Sequence, residues 1–359
     1  MLVVVAIMML LLAAAATRMK PANESRRIRE SARALSIYLS TARNRAMETG
    51  RPCGVILHRF AGATSAVMGL DQCEVPPCYC GDTTNAALTF TTVNVARGVA
   101  TIATKTTPAG SFNQAMVSVG DLIQFNFQGP LFTINGLGQA AVTATLDVSQ
   151  GQSIPWSTTS PAIPYRIYRL PSSTSATTFK GQAQSLQLPA STVVDLDGSG
   201  IDGAATPFNQ FSATTNDVGI LFSPNGSVYG AYYVNGASTY VTTPIFLLVG
   251  KRERVGATPI ANDPATWSNW QDLTNLWVVI NPQTGLVTSG EMAAVPAWNS
   301  TVTYAAGQYV LVTSTNTVWC CTTNNTNQQP QTGSTYWTSS DAFTAARVLA
   351  RDAQSMGGK

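Results

Sequence analysis

Apolar and polar positions divide this chain into stretches of different period. Met1 to Ala16 are all apolar, and the first polar residue is Thr17, the first charge Arg18. As a helix this run spans ~24 Å at ~1.5 Å per residue, short of the ~30 Å hydrocarbon core of a bilayer. Beyond it, Ile28, Ala32, Leu35, Leu39, Ala42 and Ala46 recur at steps of four and three, one apolar stripe on a helix. Gly50 and Pro52 supply the stop. The two halves join near Pro21, and the pattern predicts one rod of ~70 Å from about Leu2 to Thr49. Such a rod is either a membrane anchor with a linker helix or a filament subunit whose helices bundle.

After Cys53 the period changes to two. ILFSPNGSVYG (220–230) and LWVVINPQTGLVTSG (276–290) place Pro-Asn-Gly and Pro-Gln-Thr-Gly between β-branched and aromatic runs, so each predicts a hairpin. PIFLLVGKRERV (244–255), VGDLIQFNFQGPLFTING (119–136), YRIYRL (165–170) and SLQLPASTVVDL (185–196) read as further strands, with a surface loop over 172–184. The expected fold class is α+β: a long N-terminal helix over 1–50, a β-sheet-rich globular body with insertions over 51–295, a small C-terminal β module over 296–340 and a helical tail over 341–359.

Composition narrows the function classes. Only 11% of residues are charged, against ~25% in an ordinary soluble domain, and Ser, Thr, Asn and Gln fill the surface positions instead. Between Arg18 and Arg51 stand nine basic residues and three acids, a surplus of six in a chain of net +3, so the rest carries about −3. The basic helix has no interleaved aromatics, and nucleic acid is not an expected partner. Positive charge placed after the apolar run argues against a secretory signal, which carries its basic residues in front.

The apolar head, the Arg- and Ala-rich helix and the closing ARNRAMETGRPCGVIL resemble the type IV pilin-like proteins, and among them the minor pseudopilin H class of type II secretion. The stretches 220–230, 244–255 and 276–290 resemble the paired strands of that class. The resemblance implies a short basic leader and about five further mature residues ahead of Met1, and an acidic residue there that pairs with a neighbour's terminal amine. It also implies a precursor in the inner membrane, followed by an extracellular filament or a periplasmic pseudopilus. Helix residues such as Val5, Leu11, Ile28, Leu35 and Leu39 would then drive assembly with copies of the chain and with other pilin-like subunits.

CEVPPCYC packs three cysteines into eight residues, and two disulfides among Cys53, Cys73, Cys78 and Cys80 would staple a loop to the sheet; zinc is the rival. Cys320 and Cys321 are adjacent and unassigned. In DLDGSGIDG, Asp195, Asp197 and Asp202 offer oxygens to calcium, although turn-forming Asp and Gly need no metal. His58, the single histidine, lies in the strand-like GVILHRF and reads as structural. No Ser-His-Asp set, paired-histidine metal site or phosphate-binding Gly loop is legible, so no enzyme activity is expected.

In 297–340 the order Trp298, Tyr304, Gly307, Val310, Trp319, Asn324, Pro330, Trp337 resembles the carbohydrate-binding modules of families five and twelve. That resemblance implies sugar stacking on Trp298, Tyr304, Trp319 and Trp337, with Tyr309 and Tyr336 as further platform candidates, and polysaccharide as a partner. The alternative is that these aromatics are a small core. Three functions follow: a structural subunit of an extracellular pilin-like filament, the reading adopted; a minor pseudopilin that primes or caps a secretion pseudopilus; and a membrane-anchored hydrolase, for which no active site is seen.

Overall fold

The computed structural model describes residues 2–94, 99–107, 112–137, 143–147, 156–171, 184–201, 209–234, 238–239, 241–256, 267–340 and 345, with backbone alone for 2–22, 91–94, 99–107, 143–145, 147 and 238–239. Helix α1 (Leu2–Thr49) is continuous through Pro21. Gly50 ends it with φ at 66° and an amide bond to Ala46 O at 3.1 Å, a left-handed cap that glycine adopts without a Cβ clash.

Strands β1 (Cys53–Phe60) and β2 (Ala63–Glu74) follow as a hairpin. The chain then leaves the main sheet for β3 (Ala87–Asn94), β4 (Val99–Thr107), β5 (Leu122–Phe125), β6 (Leu131–Leu137), β7 (Thr143–Asp147) and β8 (Ile163–Tyr168). These six close into a barrel in the order β3-β4-β7-β6-β5-β8. Alternate residues such as Ile123, Phe125, Phe132, Ile134, Tyr165 and Ile167 fill its interior.

The chain returns through β9 (Leu186–Gln187), β10 (Thr192–Ile201), β11 (Asn209–Gln210), β12 (Val218–Phe222), β13 (Val228–Tyr233), β14 (Ser238–Thr239), β15 (Ile245–Lys251), β16 (Leu276–Ile280) and β17 (Val287–Glu291). The antiparallel main sheet runs β14-β13-β12-β1-β2-β10-β15-β16-β17, with β9 on β2 and β11 on β10. The turns at Pro224-Asn225-Gly226 and Pro282-Gln283-Thr284-Gly285 join β12 to β13 and β16 to β17, where the sequence predicts hairpins.

This sheet is covered on both faces, which explains why VGILF, IFLLVG and LWVVI are unbroken apolar runs rather than alternating ones. On one face, Val55, Leu57, Ile220, Phe222, Leu247, Val249, Val278 and Ile280 pack with the helix stripe from Ile28 to Ala46. On the other, Phe246, Leu248, Trp277 and Val279 meet the C-terminal strands.

Those strands are β18 (Thr303–Tyr304), β19 (Tyr309–Val312), β20 (Thr317–Cys321), β21 (Asn325–Thr326) and β22 (Trp337–Ser340). Their alternation splits them between two cores. Val310, Val312, Trp319 and Cys321 face Tyr304 and Trp337, whereas Tyr309, Leu311 and Val318 face Trp277 and its neighbours on the main sheet.

Two expectations are corrected here. The chain is mostly β, 42% strand against 15% helix, so the α+β assignment gives way to a set of sheets with one N-terminal helix. A small separate C-terminal module is not shown either, because one face of β19 and β20 is spent on the main sheet. Of the tail over 341–359 only Ala345 lies within the described residues; it is helical and fully buried against that same cluster.

Candidate assembly helix and the predicted site residues

The body grips α1 along the second half of its length. Ile28, Leu35 and Leu39 are buried on the sheet, so this part of the predicted assembly stripe is used within the chain. Val5 and Leu11 belong to the same continuous helix but lie outside the described side chains. Polar contacts fix the helix at both ends of its sheet-bound stretch. Lys251 Nζ meets Glu24 at 2.8 Å, and Ser31 and Thr192 share a buried hydroxyl bond of 2.8 Å. Arg43 Nε donates to Gly226 O and Thr284 O, both at 3.0 Å, and so ties together the two hairpin turns that the sequence marks. Glu74 takes both Arg45 and Arg51 at 3.2 Å. The outward face exposes Arg26, Arg29, Arg33, Ile37 and Met47.

Among the described residues no helix is long and apolar enough to cross a membrane. This overturns the membrane helix and the inner-membrane precursor. From Asn23 onward the helix carries a basic outer face, and its apolar stripe already faces its own sheet.

The stapled loop is corrected as well: all six cysteines are free thiols. Cys53 pairs across the ladder with Glu74, and Gly54 with Cys73, so strand parity sends the two buried thiols to opposite faces. Cys53 joins the helix-side core and Cys73 the cluster of Ile56, Leu221 and Tyr232 on the other side. Complete burial pushes the Cys73 thiol far up. Cys78 and Cys80 are exposed, well separated in role from both.

The acidic cluster does not converge on a metal, and among the described residues no group of three or more His, Cys, Asp or Glu is placed to hold one. Asp195 is buried on β10 opposite Leu248 of β15; its Oδ2 accepts from Asn269 Nδ2 at 2.8 Å and its Oδ1 from the Asp197 amide at 3.0 Å. Burial raises its pKa to about 7. Asn269 in turn accepts the Lys251 amide at 2.8 Å, and Asn275 donates to Asn269, so the acid anchors the loop before β16. Asp197 takes a bond from Ser65 at 3.0 Å, and Asp202 lies outside the described residues. The register of β10 on β15 slips between Asp195 and Gly200; Ser199 covers the gap by donating to Asp195 O and accepting the Leu248 amide at 2.8 Å. The signal in the sequence was the acid inside the apolar run TVVDL, an unusual place for a solvated turn residue.

His58 has a structural place, as its strand context predicts. Its Nδ1 bonds Asp217 Oδ2 at 2.8 Å, while Nε2 lies 3.2 Å from Asp71 Oδ2, near enough for an ion pair but not aligned for a hydrogen bond. Asp217 Oδ1 also accepts the Arg59 amide at 2.9 Å, and the Arg59 guanidinium holds Asn216 O, Thr64 O and Phe211 O. The bond to Asp217 raises the His58 pKa above 6.5, against an opposing pull from burial, and Asp217 is lowered. A raised imidazole stabilises fully below its unfolded pKa of ~6.5 and loses that contribution as pH climbs through the folded value. His58→Gln is therefore expected to lower stability by about 1 kcal/mol at pH 6, allowing for screening at a partly exposed ring, and by less at pH 9. Thermal melts across that range check this; a deficit that does not vary with pH would remove the charge argument.

The four proposed sugar-stacking residues divide unevenly. Tyr304, Trp319 and Trp337 are buried core, with Tyr304 and Trp337 edge to face at 5.3 Å. Trp298 is half-buried, and its Nε1 and that of Trp337 both donate to Gln328 O. The platform is thus corrected to a small core, because three rings turn inward and leave no row of exposed faces. Tyr309 turns toward the main sheet and Tyr336 alone of the group is exposed. Compared with protein-family models, curated proteins and solved structures, the chain matches none.

Proposed function

We propose that this chain is a structural subunit of a type IV pilin-like filament, assembled through the N-terminal half of α1 with copies of itself and other pilin-like subunits. One observation carries the reading. The helix is continuous over 48 residues, and its stretch from Glu24 to Thr49 is held on the body by side-chain contacts. Residues 2–23 add about 33 Å of helix at ~1.5 Å per residue, and their sequence is apolar through Ala16. An apolar helical segment of that length, continuous with a stretch that the body holds by Arg43, Arg45 and a buried apolar stripe, suits bundling. Burial at ~25 cal/mol per Å² of apolar surface then holds subunits without covalent links.

The reading assigns no catalytic residue and no polysaccharide platform. Leu11→Asp places a charge where the bundle is apolar and is expected to cut filament yield more than about tenfold, since each ~1.4 kcal/mol is a factor of ten and an unpaired buried charge costs more. Negative-stain imaging and sedimentation of the wild type and the variant, beside their melting temperatures, make the test. The body should melt alike in both. Filaments at wild-type yield from Leu11→Asp, or a wild type that stays monomeric at high concentration, would end the proposal.

A further inference from the structure

The segment between β2 and the barrel presents two exposed thiols, Cys78 and Cys80, in a fixed geometry. Tyr79 exchanges two backbone hydrogen bonds with Ile167, at 2.9 and 2.8 Å, so the stretch around it is extended. Its ring is buried in the barrel core against Phe112 and Tyr165, and its hydroxyl donates to Asp82 and accepts the Asn113 amide. On the preceding residue but one, Pro77 O accepts two bonds from Arg169, at 3.1 and 2.7 Å. With Tyr79 turned inward, alternation turns Cys78 and Cys80 outward together, and both are exposed.

Their spacing selects what they can hold. Two residues apart on an extended chain, their backbones stand ~6.6 Å apart with parallel Cα–Cβ bonds. A disulfide draws the Cβ atoms to ~3.8 Å, a bend that the ladder at Tyr79 and the Arg169 clamp at Pro77 both resist. A metal ion between two sulfurs relaxes the demand: two bonds of ~2.3 Å leave the sulfurs ~4.6 Å apart. Thiolate pairs without further ligands suit soft Cu(I) rather than a hard or tetrahedral ion. The antiparallel bridge of Tyr79 to Ile167 sets Arg166 opposite Cys80, and the Arg166 guanidinium lies over the Phe127 ring at 5.3 Å, so a positive charge stands beside the pair.

We propose that Cys78 and Cys80 form a two-coordinate site for a soft monovalent ion, Cu(I), at the junction of sheet and barrel. Binding exchanges two thiol protons for one ion with no change of oxidation state, and leaves a site of net charge −1 beside Arg166.

The test is an anaerobic titration of the reduced full chain with Cu(I) against a chromophoric Cu(I) chelator. One equivalent per chain should be withdrawn, with a thiolate-to-copper absorption band. Cys78→Ser and Cys80→Ser, which alter exposed side chains and should melt as wild type, should each weaken binding more than about 100-fold, beyond the ~10–100-fold cost of losing a supporting contact. Cys320→Ser should bind as wild type. Withdrawal of no copper, one ion per two chains, or binding unchanged by Cys78→Ser would each overturn the site.

Discussion

Gly54→Ala should cost the protein its folded body. Gly54 lies in β1, with β2 on one side and β12 on the other. A methyl group there would run into Ile220 O and Leu221 Cα, both backbone atoms of β12, as well as Leu221 Cδ2. The backbone at this site is ordinary strand, so the demand is for space and not for an unusual φ. Leu221 Cδ2 can turn aside but the two backbone atoms cannot: relief requires β12 to move off β1, which breaks the register from Cys53↔Phe222 to Leu57↔Val218 and opens the core beneath α1. Overpacking costs ~1–3 kcal/mol where side chains yield; with backbone as the obstacle the loss should exceed ~3 kcal/mol, a large part of a typical 5–15 kcal/mol. Gly69→Ala on β2 is the control, since there the atoms nearest the added methyl belong to the movable amide of Gln187. Urea unfolding of the two variants should separate them clearly. Equal midpoints would mean that β1 and β12 are not packed as closely as described.

What the sequence revealed of this fold is what neighbours along the chain decide. The 3–4 spacing from Ile28 to Ala46, the cap at Gly50 and the Pro-Gly turns of two hairpins are local, and each stands where its pattern places it. The barrel was not legible. Alternation in LIQF and IPYRIY shows a strand with one buried face, but closure depends on β3 pairing with β8 some seventy residues on, which no short-range signal encodes. The cysteines failed for a related reason. Cys53 and Cys73 are neighbours across a ladder, yet a one-residue offset sends them to opposite faces, and register is invisible until the turn between β1 and β2 is known. Aromatic spacing in 298–337 fixed which rings share a cluster and left open whether that cluster faces sugar or its own interior.

The last prediction concerns that C-terminal region and how far it stands apart. Trp277→Ala is expected to destabilise the protein by about 3–5 kcal/mol, the range for truncating a buried tryptophan. Trp277 is fully buried on β16, edge to face with Phe246 at 5.8 Å, and shares one cluster with Trp270, Met292, Val318 and Ala345. Its Nε1 has no hydrogen-bond partner, so truncation also removes a buried donor and offsets part of the loss. The informative consequence is spatial. If β19 and β20 are stabilised by the main sheet through Tyr309, Leu311 and Val318, the cavity should lower amide protection in 309–321 together with β16. The barrel, whose core shares no residue with this cluster, should be the least affected. Hydrogen exchange followed by strand would show it. Protection over 309–321 that survives while β16 loosens would make the Tyr304–Trp337 cluster sufficient by itself, and the docking onto the main sheet incidental.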